Sequence, residues 1–239
     1  MSFFEFLKNN LGHVMPILIS GAIGLAIIIE RAKSLFKTYP IKNQSGFFDQ
    51  IQLLIHSGKT TEAAQLCDQF PEKPMAKVVK AGIQRAHLPE NLVENGIEMA
   101  LSDAQHIVQK RTNYLATIAN VATLLGLFGT ILGLIGSFEA VAHADPQQKS
   151  ALLSAGIATA MNATMMGLGV AIPCMVAFSF LVNKGNAINS ELENGSLRIL
   201  DIIKQSAYAI DDQPAVGEVW ENNVTPISNG RAKTEEGAA

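Results

Sequence analysis

Charge is what the middle of this 239-residue chain lacks. No Asp, Glu, Lys or Arg stands between Arg111 and Glu139, and none between Lys149 and Lys184. A helix needs about 20 apolar residues to cross a bilayer at a rise of 1.5 Å per residue, so each run is long enough. The whole chain is 16% charged and 48% hydrophobic, against roughly a quarter charged in an average soluble domain. That composition excludes an ordinary soluble domain. Cysteine is nearly absent as well: Cys67 falls in a soluble helical stretch and Cys174 in an apolar run, so no disulfide is expected. His56, His87 and His106 are scattered without metal-ligand spacing, His13 stands alone, and there is no phosphate-binding glycine loop. His143 and Ser154 have no third group to orient them as a hydrolytic pair. Neither an enzyme nor a cofactor is expected.

The charges that are present are unevenly placed. All of the 18 Lys and Arg except Lys8 and Lys149 fall between Arg31 and Arg111 or between Lys184 and Lys233. By the positive-inside rule those two segments are cytoplasmic. The amino terminus and the link between the two uncharged runs then lie on the other side. Acidic residues nearly balance the basic ones in both segments, which argues against nucleic acid as a partner.

The chain divides accordingly. Residues 1–10 mix Phe3, Phe4, Phe6 and Leu7 with Glu5 and Lys8, a pattern for a short helix at the membrane interface. Residues 11–30 form a first span, retained as an anchor because positive charge follows it at Arg31, Lys33 and Lys37. Residues 31–111 read as a cytoplasmic helical domain, with Phe47, Phe48, Ile51, Leu54 and Ile55 at helical spacing. Pro89 with Glu90 and Glu94 marks a helix start. Nothing stronger than Gly96 interrupts the chain from there to Val141, so a single helix of about 75 Å is expected. Residues 112–142 are the second span, 143–150 a short loop turning at Pro146, and 151–183 the third span. Residues 184–211 continue it as a polar helix, and 212–239 read as a disordered tail. The fold class is an all-α membrane protein with three transmembrane helices.

The two uncharged spans carry more than aliphatic side chains. Thr123, Thr130 and Ser137 recur every seven residues, which keeps them near one face of the second span. Gly126, Gly129, Gly133 and Gly136 occupy the neighbouring face, where small residues let helices approach closely. The third span adds Ser154, Thr159, Asn162 and Thr164, which do not share one face, together with Gly167 and Pro173 as further packing positions. Polar groups in hydrocarbon are costly unless they meet partners or water, so the hairpin is expected to line a path. The competing reading is a structural scaffold whose small residues serve packing alone. In its apolar core neither span contains a carboxylate, histidine or lysine. A partner must therefore bring the ionisable relay that ion movement usually employs.

At these residues the chain resembles the MotA/TolQ/ExbB proton-channel family, in its ExbB/TolQ-like branch. The stretch LLGLFGTILGLIGSF, Leu124 to Phe138, is similar to that family's LLGLxGTVxGxIxxF. GIATAMNATMMGLGVAIP, Gly156 to Pro173, is similar to its GIxEALxATxxGLxVAIP, and IIIER at Ile27 to Arg31 matches the end of its first span. The resemblance implies a homopentamer in the bacterial inner membrane, enclosing two copies of a single-span partner of the ExbD or TolR type. A TonB/TolA-like or other envelope protein is the further implied partner. It also implies that an aspartate on the partner helix takes the proton, that Thr130 and Thr164 face it, and that proton motive force becomes mechanical work on the envelope. The family glutamate of the third span falls on Thr159, and the family proline of the second on Thr123. That leaves passage more dependent on the partner's acid, with a sodium-driven version as the alternative.

Overall fold

A computed structural model describes residues 11–41 and 43–211, and among them there are seven α-helices, one π-helical turn and no strand. The expected interfacial helix over 1–10 and the tail over 212–239 lie outside the described residues. Helix α1 is Leu11–Lys33, with no acidic residue in its first turn and Arg31 and Lys33 in its last, where cations complement the helix dipole. It runs into a π-helical turn at Ser34–Thr38. Helix α2, Gln44–His56, starts at Asn43, whose side chain accepts the Gly46 amide, and it stops before Gly58 at φ +73°. Helix α3 is Thr60–Asp68, and α4 is Pro74–Gln84 with its proline at the first turn, where no amide is needed. Then come α5 (Glu90–Gln109), α6 (Tyr114–Ala142) and α7 (Lys149–Asp211).

Three of these segments are long and apolar enough to cross a membrane: one in α1, one in α6 and one in α7. Helix α7 holds 63 residues, about 95 Å of rise, so it extends well beyond any single crossing. Its far half is the spine against which α2, α4 and α5 pack, with α3 resting on α2 and α4. Phe48, Ile51, Val78, Val79, Leu192 and Ile199 are fully buried there, with the Phe47 and Phe48 rings edge to face at 5.6 Å. The spans are built oppositely. Their shared interior is small, consisting of Ala119, Ala122, Ala171 and Cys174, while Leu124, Phe128, Phe138 and Phe180 point outward. Large side chains directed outward from an uncharged hairpin suit hydrocarbon or other helices rather than water.

One expectation is corrected. The single helix from Glu90 to Val141 is two helices, interrupted at residues 110–113, where Arg111 adopts a left-handed φ of +64°. No local residue breaks it. Arg31 donates from Nη2 to the Val108 carbonyl, and Glu30 accepts from Arg111 Nη1 at 2.7 Å, so the end of α1 lies against the interruption although it stands 77 and 81 residues away in the chain.

Cys67 in α3 is buried beside Val78 and its neighbours in this core, and burial, with Asp68 adding to it, pushes its thiol up to about 12. At pH 8 only about one molecule in ten thousand carries the thiolate that reacts. Maleimide titration of the native protein at pH 8 is therefore expected to leave Cys67 unlabelled for hours. Full labelling should follow denaturation; rapid labelling of the native chain would show that this core opens.

Candidate functional site

Helices α6 and α7 form an antiparallel hairpin through a turn in which the Gln148 amide bonds to the Asp145 carbonyl at 2.9 Å. Glycine sets their closeness. A methyl group placed on Gly167 would stand 2.7 Å from the Ala122 carbonyl oxygen and 2.9 Å from Gly126 Cα; one on Gly129 would meet the Ala163 Cβ at 2.8 Å. One on Gly133 would meet Ala160 at 3.1 Å. These four glycines are the seam. Gly136 is not part of it within one chain, because a methyl there would meet no atom within 4 Å. Pro173 faces away from the seam, lining a groove with Leu18, Gly21, Ala22 and Leu25 of α1.

The hydroxyl-bearing residues separate into two grooves. Thr130 and Thr164 come together in an open groove of about 600 Å³, walled by Met161, Met165, Leu168 and Ile172. Thr130 donates its hydroxyl hydrogen to the Leu127 carbonyl at 2.5 Å, so the lone pairs of its oxygen remain available as acceptors. Thr164 reaches across the seam to the Gly126 carbonyl at 3.4 Å, a long bond. Gly169 lines the same groove. The groove thus combines two threonines with otherwise apolar walls.

The second groove, about 310 Å³, holds Ser137 and Thr159 with Gly133, Gly136 and Gly156. Thr159 donates back to the Ala155 carbonyl at 3.0 Å and Ser137 to the Gly133 carbonyl at 2.6 Å. Asn162 is half-buried and lines neither groove, and Thr123 is exposed, bonded to the Ala119 carbonyl at 3.0 Å. The seven-residue stripe of the second span is therefore divided. A straight helix drifts by about 20° per seven residues, and α7 crosses α6 so that Ser137 is covered while Thr130 stays at the open groove. Two close approaches were not singled out from sequence: a methyl on Gly156 would stand 1.5 Å from Ser137 Oγ, and one on Gly24 would stand 2.8 Å from Cys174 Sγ. Their only trace in the sequence is a glycine in an apolar run. Among the described residues no cluster of metal-ligating side chains occurs.

Comparison with known proteins agrees with this geometry. Residues 71–194, just over half of the chain, match the model of the MotA/TolQ/ExbB proton channel family. The chain is 29% identical over 208 residues to the Tol-Pal system protein TolQ of Haemophilus influenzae, an alignment covering 82% of this chain and 89% of that one. It is 26% identical over 157 residues to a putative biopolymer transport protein ExbB homolog of Methanothermobacter thermautotrophicus, covering 65% of this chain and 53% of the relative. With the biopolymer transport protein ExbB of Aquifex aeolicus it shares 37% identity over 75 residues, 31% of this chain and 50% of the other. Three apolar helices in this order, two of them packed on a glycine seam, and these matches across both helices lead to one assignment: the chain belongs to the MotA/TolQ/ExbB proton channel family, as an inner-membrane protein of its ExbB/TolQ-like branch.

Proposed function

We propose that the groove holding Thr130 and Thr164 is this subunit's share of a proton path, completed by a carboxylate from an ExbD/TolR-like single-span partner. The observation that carries the reading is the pairing of these hydroxyls on an outward-facing surface of the hairpin, within runs that contain no Asp, Glu, Lys, Arg or His. Thr130, bonded back to its own helix, offers its oxygen to a protonated carboxyl group or a water. The groove itself cannot hold a mobile proton, since hydroxyls and amide carbonyls do not titrate in the relevant range. A partner acid that protonates from one side and releases to the other supplies that step, and movement of the partner past successive subunits converts it to work.

Five copies around two partner helices, with the amino terminus periplasmic and the carboxyl terminus cytoplasmic, is the arrangement proposed for the assembly. The near absence of Lys and Arg from the opposite side supports that orientation. Thr123, Thr159 and Asn162 are assigned to the same lumen in the assembled ring, outside the groove itself. The test is co-reconstitution with the single-span partner into liposomes carrying an interior pH dye. Proton flux should require both proteins and disappear when the partner's membrane carboxyl is changed to its amide. Flux without the partner, or unaltered by that change, would refute the proposal; a mass measurement on the same complex fixes the five-to-two ratio.

A further inference from the structure

The interruption between α5 and α6 has no cause in its own sequence. Residues Gln109 to Tyr114 contain no glycine or proline, and each can continue a helix. Yet Arg111 lies at φ +64°, a region that disfavours side chains with a Cβ. The amides of Arg111 and Asn113 have no backbone acceptor among the described residues, while that of Thr112 goes to the Gln109 carbonyl at 3.3 Å instead of to Val108. The carbonyl that a continuous helix would use for Thr112, that of Val108, is taken by the Arg31 guanidinium.

Arg31 is an unusual group to find there. It is 2% exposed, no carboxylate pairs with it among the described residues, its Nε has no partner, and its nearest aromatic contact is the Tyr39 ring at 5.9 Å. A buried guanidinium is costly unless its hydrogen bonds are made. The bond to Val108 is the one it makes to another helix. Its neighbour Glu30 holds Arg111, the strained residue itself, at 2.7 Å.

We infer that Glu30 and Arg31 are a positioning clamp: by occupying the Val108 carbonyl and tethering Arg111, they hold α5 and α6 apart as two helices. Without the clamp the two would join. The consequence is rotational, because each residue inside a helix turns it by about 100°, so residues removed from the ladder set the direction in which α6 presents Thr130. That consequence rests on the proposed role of Thr130; the clamp itself does not.

Amide hydrogen exchange on the full chain in lipid nanodiscs decides it through the sign of the change. In the native protein the amides of Arg111 and Asn113 should exchange rapidly. In Arg31→Gln the segment 110–114 should become at least about tenfold slower as the ladder closes, and adding Arg111→Gly, which accepts a positive φ freely, should restore rapid exchange. A residue that merely supports the fold gives the opposite result. Unchanged or faster exchange over 110–114 in Arg31→Gln would overturn the clamp. If Arg31→Gln yields no folded protein, Glu30→Gln, at an exposed ion pair, should show slowing of the same sign, and its absence there counts against the clamp equally. Proton flux is not needed for any of these outcomes, so failure of the proposed path and failure of the clamp remain distinguishable.

Discussion

Thr164→Val is expected to lower proton flux through the reconstituted complex at least about tenfold while leaving the yield of complex unchanged. Valine keeps the β-branched shape and puts a methyl group where the hydroxyl stood. Its structural loss is small, because the bond to the Gly126 carbonyl spans 3.4 Å, and a net hydrogen bond of good geometry is worth only about 1 kcal/mol. Its functional loss is larger if the oxygen meets a carboxyl group or water in transit. One missing partner in an apolar channel is enough, since about 1.4 kcal/mol at the barrier is already a factor of ten. Thr130→Val should act in the same direction, as its oxygen is the other polar group of the groove. Thr123→Val is the contrast: that hydroxyl is bonded to the Ala119 carbonyl and lies outside the groove, so its effect should be several-fold smaller. The measurement is dye-reported flux at matched complex content, and undiminished flux in both Thr130→Val and Thr164→Val would remove the groove from the path.

The choice of Thr130 and Thr164 among the hydroxyls rests on the family signatures, whereas the hydroxyl-rich spans themselves are legible because membrane solvation imposes a strong rule. An uncharged run of this length has few fates, and hydroxyls within it stand out against an aliphatic background. The same rule made the three apolar helices and the turn near Pro146 legible. Local signals also located the starts of α4 and α5, where Pro74 and Pro89 punctuate the chain. What escaped was decided by distant partners. The break at Arg111 is held by Glu30 and Arg31, and helix propensity within residues 109–114 gives no sign of it. The division of the Thr123, Thr130 and Ser137 stripe depends on where α7 crosses α6, which spacing along one helix does not contain. Gly136 and Gly129 look alike in the sequence; only the crossing decides that one meets Ala163 and the other open space.

That distinction gives the second large effect. Gly167→Ala should destabilise the hairpin by about 3 kcal/mol, at the upper end of what overpacking costs, even though alanine favours helix over glycine by about 1 kcal/mol. The new methyl would lie 2.7 Å from the Ala122 carbonyl oxygen and 2.9 Å from Gly126 Cα. Both are backbone atoms, so no side chain can rotate aside and the helices themselves must separate. Separation would first break the already long bond from Thr164 to Gly126 and then open the seam at Gly129 and Gly133, where the spacing is nearly as tight. Gly136→Ala is the matched control. With no atom within 4 Å of its methyl, the helix preference acts unopposed, and the stability of the single chain should hold or rise. Denaturant titration in mild detergent, followed by the helical circular dichroism signal, compares the two. A Gly167→Ala midpoint equal to that of Gly136→Ala would mean that α6 and α7 are not held at the separation on which the shared groove of Thr130 and Thr164 depends.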